Sequence, residues 1–305
     1  MPRRFLSATR PTRSILAITM AALTIVSVSA CSTIGGSTPS PAGSRALIVH
    51  PTGPLDVVLR LEQGGGFVPI EFLAAEAPAF TLYGNGSIVF QRASASFPRP
   101  DVNGAIRGTP WRIASLDEAG IQDLLAFALG SAGLGTARDA YPSTSVADAP
   151  DTIFTIRAGG IARRIVVNAL SEETRPSADT TARAAFLRLA ARIRAFDQDG
   201  TIPSDTFHPD RFRGALTNRG EAMGVMPDVT PIAWPWPTLT PAAFTTGGGD
   251  ATNGRSLPRR VMTAEEVSAL KLPGIEGGIQ GLTIRGPDGK TYAFVLRPLL
   301  PDERQ

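Results

Sequence analysis

Phe80-Thr81-Leu82-Tyr83-Gly84-Asn85-Gly86-Ser87-Ile88-Val89-Phe90 reads as a β-hairpin. Two runs of aromatic, β-branched and aliphatic residues flank Asn85-Gly86, a pair that tolerates the positive φ of a tight turn. The same grammar recurs twice. Ile153-Phe154-Thr155-Ile156-Arg157 passes through Gly159-Gly160 into Arg164-Ile165-Val166-Val167. Leu282-Thr283-Ile284-Arg285 passes through Pro287-Asp288-Gly289 into Thr291-Tyr292-Ala293-Phe294-Val295-Leu296. Each first strand carries apolar-Thr-apolar before its turn, but the spacing is uneven, so common hairpin chemistry rather than a repeat accounts for the likeness. Leu55-Asp56-Val57-Val58-Leu59-Arg60-Leu61 adds a further strand.

Helices fall between these hairpins. Ser115-Leu116-Asp117-Glu118 predicts a capping box, with Leu116, Ile121, Leu124, Leu125 and Ala128 on one face and Gly130 and Gly133 as the stop. Thr180 to Phe196 predicts a longer helix that turns Phe186, Leu189, Ile193 and Phe196 inward. Its Arg183, Arg188, Arg192 and Arg194 are expected largely on other faces. Thr263-Ala264-Glu265-Glu266 is a second capping box, opening a short helix that Pro273-Gly274 halts. Hairpins mixed with unevenly spaced helices predict an α+β fold, antiparallel hairpins packed with two or three helices. Residues 197–260 are dense in Pro and Gly and read as either an irregular arm packed on the domain or a link to a small C-terminal subdomain. The expected organisation is an α+β domain over 46–202, then the arm and a small C-terminal α+β part over 203–305, packed on the first.

The N-terminus reads as an address. Arg3, Arg4, Arg10 and Arg13 precede an uncharged run from Ser14 to Ala30, which ends in Val28-Ser29-Ala30 before Cys31, the one cysteine of the chain. A basic stretch, an apolar stretch and small residues make an export signal. A retained membrane helix needs about 20 apolar residues. Val28-Ser29-Ala30-Cys31 resembles the lipobox of bacterial lipoproteins. That resemblance implies cleavage of residues 1–30, a diacylglycerol on the Cys31 sulfur, and residence on the extracytoplasmic side of the cell membrane, anchored by lipid. Residues 31–45, rich in Gly, Ser, Thr and Pro, then form a lipidated tether.

Removing the signal changes what composition means. The whole chain has 30 basic and 27 acidic residues, and four of the arginines leave with residues 1–30. The remainder is close to neutral, which gives no footing for nucleic acid. Once Cys31 is acylated no thiol is left for a disulfide, so burial alone must hold the domain.

The chemical motifs fail on context. Ser268-Ala269-Leu270-Lys271 matches the S-x-x-K of penicillin-recognising enzymes, but it sits inside a capped helix without the companion elements. Gly289-Lys290-Thr291 lies in a strand–turn–strand rather than a phosphate loop. Asp197-Gln198-Asp199-Gly200 lacks the register of a calcium loop. His50 and His208 are the only histidines, and no zinc or nucleophile pattern surrounds them. Glu172-Glu173 reads as a solvated turn. No catalytic residue, metal site or cofactor is expected.

One constellation points to binding. Ile232-Ala233-Trp234-Pro235-Trp236-Pro237 holds two tryptophans two residues apart, and proline keeps such a segment extended with both indoles on one side. Trp234 and Trp236 are therefore candidate ligand-binding residues, stacking on sugar rings or proline-rich chains. Packing into a core is the more usual role for tryptophan.

The stretches Gly64-Gly65-Gly66-Phe67-Val68-Pro69 and Phe80-Thr81-Leu82-Tyr83-Gly84-Asn85-Gly86 resemble uncharacterised envelope lipoproteins of high-GC, actinobacterial-type bacteria, over about the first half of the mature chain. The resemblance is in turns and strands and implies no activity. The function expected is a membrane-tethered extracytoplasmic lipoprotein that binds or scaffolds an envelope glycan or protein. The alternative is a cell-envelope hydrolase using carboxylates.

Overall fold

The computed structural model describes residues 46–68, 73–92, 98–219, 229–245 and 257–303. Residues 1–45, which include the expected signal, Cys31 and the expected tether, lie outside the described residues. Among those described, no helix is long and apolar enough to cross a membrane.

The fold is α+β, as the hairpin grammar predicts, with two mostly antiparallel sheets. In chain order the strands are β1 (Val57–Gly65), β2 (Phe80–Tyr83), β3 (Ser87–Phe90), β4 (Ile106–Arg107), β5 (Arg112–Ser115), β6 (Ala140–Tyr141) and β7 (Pro150–Ala158). They continue as β8 (Ile161–Asn168), β9 (Ser204–Thr206), β10 (Arg211–Asn218), β11 (Ile232–Ala233), β12 (Arg259–Thr263), β13 (Ile279–Arg285) and β14 (Thr291–Pro298). The helices are α1 (Glu118–Ala126), α2 (Thr180–Arg194) and α3 (Ala264–Ser268). The first sheet runs β6-β8-β7-β1-β2-β3-β5-β9 and the second β11-β13-β14-β10-β12, with β4 against β13.

All three predicted hairpins form, as β2–β3, β7–β8 and β13–β14. In the first, Gly86 has φ +86°, and its N–H donates to the Tyr83 carbonyl at 3.0 Å. A Cβ on Gly86 would stand 2.3 Å from the Leu116 carbonyl, so glycine serves both the turn and the chain packed on it.

Every residue of β2 is buried, because the strand is covered on both sides. Phe80 and Leu82 face the core beneath α1 and α2, with Leu59, Phe154, Ile165, Leu125 and Phe186. On the other face Tyr83 packs with Val89, Trp111, Phe207 and Leu300. A separate core under the second sheet gathers Phe212, Trp236, Phe244, Met262, Leu282 and Phe294.

The C-terminal turn Pro301–Glu303 clasps the two sheets. Arg60 of β1 donates to both oxygens of Asp302 (2.7 and 2.6 Å), and the Tyr83 hydroxyl donates to the same carboxylate at 2.6 Å. Arg297 of β14 holds Glu303 through two bonds of 2.8 Å. Burial raises the Glu303 carboxyl, but the Arg297 hydrogen bonds and charge outweigh it and leave it below its ordinary 4.5. Its contribution is therefore complete above pH 4.5 and is lost as acid protonates the folded state.

Three expectations are corrected. The cap of α1 is Asp117, which accepts from the Gly120 N–H at 2.8 Å, and not Ser115. Ser115 pairs with Ser87 instead, because β3 recruits the chain into its ladder as far as that residue. Arg183 is buried rather than outward. Its guanidinium donates to the carbonyls of Asn168, Tyr141 and Pro142, acceptors that the ends of β8 and β6 leave open.

The third correction concerns residues 197–260, expected as an irregular arm but holding β9, β10 and β11. β10 is interior to the second sheet, between β14 and β12. Its Gly214 hides the strand from propensity reasoning, yet a Cβ there would stand 2.5 Å from the Met262 sulfur and 3.0 Å from the Phe294 ring. Strands also cross position 202: β9 joins the first sheet from beyond it, and β4 joins the second from before it. Residues 46–305 make one compact unit.

Candidate functional site

The tryptophans sit in the second core. Trp236 is 3% exposed, its Nε1–H donates to the Glu266 carbonyl at 2.7 Å, and its ring lies 5.3 Å from Phe294. Trp234 is partly buried, bonds the Leu239 carbonyl through Nε1 at 2.6 Å, and meets Trp236 edge-on with centroids 5.0 Å apart. They share one side, as an extended Trp-Pro-Trp requires. That side faces protein: Trp236 offers no face to a ligand, and an open stacking platform is not formed.

Other motif residues are occupied locally. The Ser268 hydroxyl donates to the Glu265 carbonyl at 2.7 Å. Glu173 accepts from Ser145 and Ser143, whose hydroxyls hold its carboxyl down at about 2. Asp197 is sealed under Arg92, which donates to one of its oxygens through Nε (2.8 Å) and Nη2 (2.6 Å). Among the described residues no group of three or more His, Cys, Asp or Glu gathers to hold a metal.

A cleft of about 420 Å³ opens where the two sheets meet. Beside it, glycine backbone extends the β4–β13 pairing of the second sheet. The Gly108 N–H donates to the Gly278 carbonyl at 3.0 Å, and a Cβ on Gly277 would stand 2.2 Å from the Gly108 carbonyl. Glycines touching backbone to backbone leave the space beside them unfilled. Its polar lining includes Gln63, Glu76, Gln91, Arg92, Arg194 and Gln280. These come from β1, the segment before β2, the residues after β3, the end of α2, and β13. Nothing in their sequence spacing unites them, so sequence reasoning missed the site.

The charges are distributed unevenly. Glu76 leans over Gly64 of β1 and accepts from the Gly65 N–H, and its carboxyl is pushed up to about 7 by burial. Arg92 is committed to Asp197, and Arg297 to Glu303. Arg194 makes no ion pair among the described residues. The described lining thus presents one carboxyl, one arginine without an ion pair, and side-chain amides.

Glu76 makes a testable stability statement. A carboxyl whose folded value is raised from 4.5 to about 7 favours the native state while protonated and opposes it when ionised. Stability is therefore lost as pH rises from 4.5 towards 7, then stays level. Glu76→Gln removes the penalty. Thermal unfolding is expected to show no difference from the parent near pH 4.5 and a gain of about 1 kcal/mol, or about 2–4 °C, at pH 8, after allowing for solvent screening. A gain of the same size at both pH values would contradict the assignment.

Compared with protein-family models, curated proteins and solved structures, the chain matches none.

Proposed function

We propose that this chain is a membrane-tethered extracytoplasmic lipoprotein that binds a small polar ligand in the cleft between its two sheets. The observation that carries the binding reading is the cleft itself. Its 420 Å³ falls in the size range of small-molecule sites, and its lining mixes amides, one acid and arginines. Val28-Ser29-Ala30-Cys31 supports the tether.

The hydrolase alternative is weaker. Glycoside cleavage by carboxylates needs two, one on each side of the scissile bond. Glu76 is the only acid on the described lining.

The test has two arms. Differential scanning fluorimetry of the mature domain against free amino acids, tripeptides, disaccharides and cell-wall fragments should give a saturable rise in Tm. A ligand at 100 times its Kd adds about 2.7 kcal/mol. Gln280→Trp, which fills the cleft, should abolish the rise; a rise surviving that change, or none with any compound, would refute cleft binding. For the anchor, Cys31→Ser should move the expressed protein out of the detergent phase, and unchanged partition would refute the lipid.

A further inference from the structure

The cleft has an electrical axis. Glu76 stands over β1, whereas Arg92 follows β3, and β2 lies between these strands in the sheet. Two strand spacings separate them, about 10 Å. Arg194 belongs to the Arg92 side, since it closes α2 three residues before Asp197, the carboxylate on which Arg92 rests. An extended chain advances about 3.3–3.6 Å per residue, so about three residues span the same distance. Gln63 beside the Glu76 pole, Gln91 beside Arg92 and Gln280 on β13 line the same cleft with side-chain amides, which donate and accept as peptide groups require.

We infer that the cleft takes a short peptide with free ends, about three residues long, its α-ammonium on the Glu76 carboxylate and its α-carboxylate on the Arg194 guanidinium. This rests on the cleft-binding reading above. Each pole is uncommitted to any other charge: Arg92 and Arg297 are spent on Asp197 and Glu303, leaving Arg194 as the guanidinium open to an anion among the described lining residues. A ligand carrying only one charge would leave the opposite pole partly desolvated and unpaired, which is costly.

Proton traffic reports the ammonium end. The carboxyl of Glu76 is governed by burial and by the Gly65 N–H. The other charged residues of the lining are Arg92 after β3, Arg194 on α2 and Arg297 on β14, and none of them is a cause of its shift. An ammonium seated there favours the ionised form. Binding near pH 7 should therefore expel a fraction of a proton.

Isothermal titration with Ala-Ala-Ala, N-acetyl-Ala-Ala-Ala and Ala-Ala-Ala-amide tests the assignment on the mature domain, with Glu76→Gln and Arg194→Gln checked for native circular dichroism. Tri-alanine is expected to bind, and blocking either end to weaken it tenfold or more. Glu76→Gln should erase the difference between free and acetylated amine while keeping sensitivity to the amide; Arg194→Gln should do the converse. At pH 7 the parent's binding heat should differ between phosphate and Tris buffers, and that of Glu76→Gln should not. Equal affinity for the three peptides would overturn the inference. If none of them binds while another compound of the fluorimetric panel does, the peptide assignment falls and the cleft reading stands. If the whole panel is silent, both fall.

Discussion

Asp302→Ala is expected to cost about 3–5 kcal/mol of unfolding free energy, measured by urea denaturation. The carboxylate is the anion for Arg60, whose side chain is 14% exposed, and it also accepts from the Tyr83 hydroxyl. Burial and that carboxylate push the Tyr83 phenol well above its ordinary value. Removing Asp302 leaves a guanidinium and a phenol desolvated and unpaired, and it releases the turn that joins β14 to the first sheet. The penalty lies in the orphaned charge rather than in the worth of the pair. The combination Arg60→Met, Tyr83→Phe and Asp302→Leu should therefore recover most of the loss. If Asp302→Ala unfolds at the parent's denaturant midpoint, the clasp is ornamental.

Trp236→Ala is expected to cost about 3–5 kcal/mol, and Trp234→Ala less. Trp236 fills the second core against Phe244 and Phe294, and its removal also leaves the Glu266 carbonyl without its donor. The rings touch, so the double replacement should cost less than the two single losses added. Urea unfolding of the two single variants and the double variant measures this. A stable double variant would return the pair to the surface and to ligand stacking.

What could be read without coordinates was local. Asn85-Gly86, Gly159-Gly160 and Asp288-Gly289 mark their hairpins because turn geometry is set by a few adjacent residues. The Thr263–Glu266 capping box forms as written, for the same reason. Ser115 failed as a cap because a distant strand claimed it first, and β10 escaped notice because its Gly214 answers to rings from elsewhere in the chain. Arg183 likewise follows carbonyls that only packing brings to it.

The candidate site is the extreme case. Gln63, Glu76, Arg194 and Gln280 carry no shared pattern, and the properties that matter are not theirs alone. A glutamate acquires a carboxyl near neutrality through burial, and one arginine stays available because its neighbours are paired. By itself the sequence determined the hairpins, the helices and the α+β class, since these depend on near neighbours and on the period of apolar residues. Tertiary structure alone decided the exchange of β4 and β9 between sheets, the fate of the tryptophans and the cleft. Those depend on which distant surfaces meet, and on what backbone contact between glycines leaves open.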